Sequence, residues 1–510
     1  MARYTLNKRI NIIKNLMDNP KVIIAASTEN QASLHKIIET EFRLSELVEL
    51  VDKGAEHCHI RLENQNIKVI PDWADNNFPI LITDQKFDPS IFLAIVYFKL
   101  GNTEKAIKLI DEDHELFSLL YLYGLIQNGF DIRQDVLAQF WQKIEEPNKC
   151  LFTHHLGIYD SIEGQLDWYT GVINALPEGT AKYYLIHQRN QLQFDYNPGL
   201  RPQIDFESRP QIAEPFHALL AYDNAMLRYN SGIANNDQES LDEIEMAFKN
   251  FIEVCVDRDE ELRASLVHMD LAEIELIQAK YEIAHKSVNA SLLILKKWEI
   301  PYFMARASVL KGRILYSWSK NGAPQYYKSS INAYQNALKV FTPSEFPNEC
   351  AEIKSNLALL YTDMASSDRE QPMWYALSAS CFKEALELFE STRDYTNLSE
   401  VAHNYATALM NFPEAKLHDN LEKAKQYFEL ALDHRSAREL PNQRVMTMLN
   451  FLELQFKLHN NNPQEEEMRL KQMSSMIEEI KTLTEDKNTL ELADDFALRV
   501  NTLKDWMKNA

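Results

Sequence analysis

One phrase recurs through the last third of the chain and limits what it can fold into. Tyr334-x-x-Ala337-Leu338 returns as Phe382-x-x-Ala385-Leu386 and again as Phe428-x-x-Ala431-Leu432, at spacings of 48 and 46 residues. An aromatic residue and an alanine three apart share one helix face. The alanine lets a second helix approach closely, and the ring fills the space beside it. Upstream of each copy lies another helical run with its own small residue: Gly312, Ala358 and Ala406. A helix pair with such a face cannot bury it alone and needs a neighbouring pair, which is the logic of a repeat array.

The upstream runs share a register. "SNLALLY", "HNYATAL" and "LNFLELQ" align on Asn356, Asn404 and Asn450. Pro301, Pro347 and Pro441 fall at a common offset before them, with Tyr395 taking that place in the remaining copy. Proline is tolerated only in the first turn of a helix, so these positions predict where each helix begins.

Leu357, Ala358 and Tyr361, followed by Phe382 and Ala385, resemble the tetratricopeptide repeat family. That likeness implies an all-α, right-handed helical solenoid. The loops "SKNGAP" and "SSDREQPMW" lengthen the period beyond the usual value of about 34 residues. Leu271-Ala272 with Ala284 keeps the standard distance, and Leu93, Ala94 and Tyr97 with Ala106 form a unit far upstream. The stretch "ALKVFTPSEFPNECAEIKSNLALLY" is also similar to repeats that accompany bacterial caspase-like proteases of the CHAT type, which implies a protease or effector encoded nearby as partner. The chain itself shows no His/Cys protease segment.

Composition narrows the functional classes. With 53 basic and 75 acidic residues the net charge is −22, a field that repels a phosphate backbone. A neutral or basic protein partner suits it better. Only 12 residues are glycine, which argues against phosphate-cradling loops. HExxH, GxSxG, Walker and GxGxxG patterns are absent from the sequence, so no enzyme and no cofactor is predicted. The charged N-terminus does not read as a signal peptide, and no stretch reaches the about 20 apolar residues of a membrane span. Five scattered cysteines, Cys58, Cys150, Cys255, Cys350 and Cys381, read as buried free thiols in a reducing compartment. A cytoplasmic protein is the expectation.

Along the chain, residues 1–85 read as a small mixed α/β unit. "KRINIIKNLMD" suggests a helix, "KVIIAAS" a strand or helix start, "HIRLENQNIKVIP" a hairpin about Glu63–Asn66, and "FPILIT" a third strand. Helical repeats are expected over 86–197, with a Gly101-Asn102 turn and a cap at Asp135. A proline-rich linker, able to act as a hinge, is expected at 198–215. The main repeat array follows over 216–462, and capping helices over 463–510.

The asparagine register is the most informative polar feature. An amide offers both donor and acceptor, so Asn356, Asn404 and Asn450 could grip the backbone of a partner segment on the concave face; alternatively each bonds a neighbouring helix or faces water. Arg306, Arg313, Glu352, Thr362, Glu400, His403 and Thr407 are the neighbouring candidates. Glu352 and Glu400 point to a segment carrying basic groups. His57-Cys58-His59 and the group Cys150, His154 and His155 invite a metal reading but read better as structural, since two or three loose ligands do not close a zinc site. Trp168–Tyr184 reads as core. The leading expectation is a non-enzymatic scaffold or adaptor that holds a partner polypeptide. The alternative is a sensor in which a peptide or small molecule changes the curvature of the array and so controls an effector.

Overall fold

The computed structural model describes residues 22–40, 47–55, 58–71, 80–127, 134–196, 216–230, 238–364, 371–413, 419–458 and 462–509. The helix expected before residue 22, the linker at 198–215, His57, Phe78 and Pro79 lie outside them. The chain divides into two compact units, Met1–Trp298 and Glu299–Ala510.

In the first unit the apolar run Val22–Ala26 (β1) is an interior strand, buried at all but one position. It leads through α1 (Thr28–Thr40) to its parallel neighbour β2 (Val48–Asp52). On its other side lies β3 (Ile60–Glu63), also parallel. The alternating run at 60–69 folds as the predicted hairpin: β3 pairs antiparallel with β4 (Asn66–Val69), Glu63 opposite Asn66. Its two turn residues, Asn64 and Gln65, have φ of 50° and 63°, the left-handed geometry that matches strand twist in a two-residue hairpin. The last strand corrects the sequence reading. It is β5 (Gln85–Lys86), antiparallel to β4, and the described part of "FPILIT" is not a strand. Asn148 holds Leu81 there instead, accepting from its N–H and donating to its carbonyl, each at 2.7 Å.

Helices follow: α2 (Pro89–Lys99), α3 (Thr103–Lys108), α4 (Glu115–Gln127), α5 (Gln134–Trp141), α6 (Glu146–Leu156), α7 (Ile162–Ala175), α8 (Thr180–Tyr196), α9 (Phe216–Asn230), α10 (Gln238–Asp257), α11 (Glu261–Ile277) and α12 (Tyr281–Lys297). Gly101, at φ 78°, makes the predicted tight turn between α2 and α3, and Asn102 caps α3 by accepting from Lys105 N. Asp135, expected as a cap, falls inside α5. The sheet shares one apolar core with α2–α6, running from Val22, Ile24 and Ile60 to Leu120 and Phe152. The α/β segment is therefore continuous in packing with the helices after it.

The second unit contains α13 (Pro301–Lys320), α14 (Tyr327–Ala337), α15 (Pro347–Asp363), α16 (Gln371–Ser391), α17 (Tyr395–Leu409), α18 (Asn420–His434), α19 (Pro441–Lys457), α20 (Pro463–Leu483) and α21 (Lys487–Asn509). Pro301, Pro347 and Pro441 begin their helices, as their spacing predicts, and Tyr395 begins α17. Tyr334, Phe382 and Phe428 are each 0% exposed, as are Ala337, Ala385 and Ala431. One core runs through these hairpins from Ala305 to Leu454. Rings link it: Phe382 stacks on Tyr405 at 4.9 Å, and Phe428 lies 5.7 Å from Phe451. A second cluster, including Met448, Leu470, Ile477 and Phe496, joins α19 to α20 and α21.

Glycine scarcity leaves its mark on the helix ends. Asp259, Ala279 and Arg393 take left-handed φ of 56–58° just after α10, α11 and α16. The residue after each donates back five positions: Glu260 N to Cys255 O, Lys280 N to Glu275 O, and Asp394 N to Phe389 O. This is the Schellman closure usually given to glycine.

Candidate functional site

The predicted site residues lie on the first helix of each hairpin in the second unit: α13, α15, α17 and α19. Within the pairs α13–α15 and α17–α19 the first helices are tied side chain to side chain. Arg306 on α13 reaches Glu352 on α15 at 3.4 Å. Tyr316 and Lys320 on α13 both contact Asp363 of α15. On α19, Asn450 Nδ2 reaches back to α17, 3.3 Å from Thr407 Oγ1 and 3.4 Å from His403 Nε2. All three asparagines are half-buried, but their bonds differ. Asn356 donates to Glu352 O of its own helix at 2.9 Å. Asn450 bridges two helices. Asn404 makes no side-chain hydrogen bond within the described residues.

The hydroxyls are committed internally. Thr362 donates to Ala358 O at 2.9 Å and lies 2.8 Å from Ser378 Oγ on α16, which turns it into its own hairpin. Thr407 donates to His403 O at 2.9 Å. Burial first, and then the charge of Arg435, push the His403 imidazole down to about 4. A neutral ring can accept at Nε2 from Asn450, and its edge meets Phe428 at 5.8 Å. Arg435 is almost fully buried, donating to Thr447 Oγ1 at 2.6 Å and Gln443 O at 2.9 Å; Glu400 is the carboxylate that acts on its charge. Burial pushes the Tyr334 phenol up; the nearby Arg313 charge acts against that shift and Glu352 adds to it. Of these groups, the Asn404 amide makes no side-chain bond within the described residues and Glu400 acts on Arg435, while Glu352 and Arg306 neutralise each other and Asn356 is bonded to its own helix.

In the first unit, the groups read as structural from sequence are used structurally. His59 Nδ1 accepts from Ile23 N at 2.9 Å, tying β1 to the start of β3. His154 meets Tyr169 OH at 2.8 Å, His155 meets Gln188 at 3.2 Å, and Cys150 lies 3.4 Å from Gln165. Among the described residues, no three His, Cys, Asp or Glu side chains are grouped to hold a metal. All five cysteines are buried, and burial pushes the Cys150 and Cys255 thiols up to about 12. No described helix is long and apolar enough to cross a membrane.

Sequence reasoning missed the polar interior of α8. His187, Gln188, Arg189, Asn190 and Gln193 are all buried there. His187 Nδ1 lies 2.7 Å from Asp223 Oδ2 of α9, and Arg189 donates to Thr170 Oγ1 at 3.1 Å and Gln193 Oε1 at 3.2 Å. No local signal marked it: "HQRNQ" places polar residues on every side of the helix, a pattern that by itself reads as solvated rather than buried.

Consecutive helix hairpins that interlock small residues with rings define a tetratricopeptide-like repeat protein. No family model and no curated protein matches the chain. Solved structures with similarity to it include the apo form of RapI, at 12% identity and TM-score 0.31 over 68% of this chain and 96% of that one. A signal-transduction ATPase with numerous domains and a tetratricopeptide-repeat sensor, from Pyrococcus horikoshii, aligns at 15% identity and TM-score 0.41. It covers 80% of this chain and 52% of that one. Yeast Tom70 aligns at 12% identity and TM-score 0.26, over 82% and 96%.

Proposed function

We propose that the chain is a non-enzymatic protein-binding repeat that holds a partner polypeptide on the common face of α13, α15, α17 and α19. The observation that carries this reading is the register of Asn356, Asn404 and Asn450 on successive first helices, with the Asn404 amide unspent. An unspent amide on a half-buried surface can donate to and accept from an extended backbone. Glu400 on α17, and the net charge of −22, favour a segment bearing lysine or arginine, with Glu352 joining in only where the segment displaces Arg306 from it. Arg306, Arg313, Thr362, His403 and Thr407 then act mainly as the frame that holds this face in shape. The partner is a protein or peptide, and a protease or effector encoded nearby is the first to test. A sensor reading, in which peptide or small-molecule binding changes the curvature of the array, would use the same face.

The experiment is capture of the partner from the native host with the wild-type chain and with Asn356→Ala/Asn404→Ala. Two lost backbone contacts at about 1 kcal/mol each weaken binding roughly tenfold or more. Unchanged capture by a folded double variant refutes the asparagine register as the binding element.

A further inference from the structure

The corner where α13 meets α15 already holds a cation. Lys320 ends α13 with its side chain 52% exposed, and its Nζ lies 2.6 Å from Asp363 Oδ2 on α15. The same ammonium stands over the Tyr316 ring, 5.5 Å from its centroid, inside the about 6 Å within which a ring face attracts a cation. Tyr327, the first residue of α14, brings a second ring 6.4 Å from the first and inclined to it by 50°. Burial, and then the Asp363 charge, push the Tyr327 phenol up, and the Lys320 charge acts against them, so both charges stand beside this ring too. Tyr316 OH donates to Asp363 Oδ2 and fixes the carboxylate, while Oδ1 makes no hydrogen bond within the described residues. Burial and Asp363 push the Tyr316 phenol up, which keeps it a donor.

Two rings and a carboxylate held by one of them are the surroundings an ammonium on a flexible stem prefers, and the chain fills them with its own lysine. An ion pair this exposed contributes little to stability, so Lys320 can leave at small cost. Asp363 lies about three turns beyond Glu352 on the same side of α15, at the edge of the face assigned above to a partner. We propose that Tyr316, Tyr327 and Asp363 form a lysine site, which Lys320 occupies until a lysine of the partner segment exchanges for it. The incoming ammonium donates to Asp363, Oδ1 included, and rests against the tyrosine rings. A segment with no lysine at this place meets a filled site. The inference rests on the partner reading for the source of that lysine.

The test uses the full chain with Lys320→Ala, which empties the site, and N-acetyl-lysine-N-methylamide, titrated by saturation-transfer NMR at low ionic strength. N-acetyl-norleucine-N-methylamide is the ammonium-free probe. Saturable binding of the blocked lysine to Lys320→Ala is expected, at least about fivefold tighter than to the wild type, whose own lysine competes, and about tenfold tighter than that of the norleucine probe. Adding Asp363→Asn to Lys320→Ala should weaken it about tenfold. Absence of saturable binding to Lys320→Ala overturns the proposal, as do equal affinity with and without Lys320, equal binding of the norleucine probe, and binding unaffected by Asp363→Asn. Should circular dichroism show that the Asp363→Asn variant does not fold, salt is read instead: binding to Lys320→Ala that is unchanged at about 1 M NaCl, where charges are screened within about 3 Å, overturns the proposal. The blocked amino acid reports on this corner alone, whereas partner capture by Asn356→Ala/Asn404→Ala reports on the asparagine face, so the failure of either is seen separately.

Discussion

Gly312→Ala sets two effects of opposite sign against each other. Gly312 lies inside α13, where replacing glycine by alanine favours the helix by about 1 kcal/mol. A Cβ there would meet the Tyr334 ring of α14 at 2.7 Å from Cε1 and 2.8 Å from Cδ1 and Cζ. Tyr334 is 0% exposed, so the ring cannot swing into solvent, and the strain must be spread through the core. Overpacking of this kind costs typically 1–3 kcal/mol, which leaves a net destabilisation of about 1 kcal/mol. The array need not unfold in one step, so the measurement is hydrogen exchange of the amides of α13 and α14. A loss of about 1 kcal/mol speeds exchange by opening about fivefold. Tyr334→Leu removes the ring, and in Gly312→Ala/Tyr334→Leu the two effects should couple favourably by about 1 kcal/mol. Slower exchange in Gly312→Ala alone, as helix propensity by itself dictates, would refute the packing argument.

Three further outcomes follow from other residues. Ala279→Gly relieves a left-handed alanine costing roughly 1–2 kcal/mol against a glycine entropy cost of about 0.4–1 kcal/mol; a net gain of about 0.5–1 kcal/mol should slow exchange at the end of α11, and a loss contradicts the cap assignment. Burial, and then the charge of Arg435, push His403 to about 4. Since an unfolded histidine titrates near about 6.5, this contribution is complete above that pH and is lost as pH falls towards 4, on the order of 1–3 kcal/mol; thermal unfolding of His403→Gln should therefore depend less steeply on pH across this window than that of the wild type. Ser330 donates to Gly312 O at 2.7 Å and Ser378 to Ala358 O at 2.9 Å; Ser330→Ala should cost about 0.5–1.5 kcal/mol, read as faster exchange in α13 and α14, and no change would mean that the second bond to a helical carbonyl contributes nothing.

The second unit was legible because its constraints are local and repeated. A proline fixes a first turn, and an aromatic-x-x-Ala phrase names the buried face, so Pro301, Pro347, Pro441, Phe382 and Phe428 took the places their spacing assigned. The hairpin at 60–69 was legible for the same reason, through alternation about a short polar turn. The last strand was not: "FPILIT" has strand composition, yet Asn148, 67 positions from Leu81, takes the backbone bonds that a strand would have used. Long-range capture of this kind leaves no trace in local propensity. The division at Trp298 and Glu299 was equally silent, since it falls between two helices of the same character.

Within the candidate face, residue type was informative and bonding was not. Asn356, Asn404 and Asn450 share a register, yet one bonds its own helix, one bridges to α17 and one makes no side-chain bond. The difference follows from what the preceding hairpin supplies. His403 and Thr407 stand one hairpin back from Asn450 and offer it two acceptors. The positions on α13 that correspond to His403 and Thr407 are Val309, buried and apolar, and Arg313, which has no acceptor, and the Asn356 amide donates to Glu352 O of its own helix. A repeat can thus keep one polar letter at each turn and still commit its amide differently in each copy. Of the three, Asn404 alone makes no side-chain bond within the described residues, so under the proposed function Asn404→Ala alone should weaken partner capture more than Asn356→Ala alone, and the reverse order would contradict that reading.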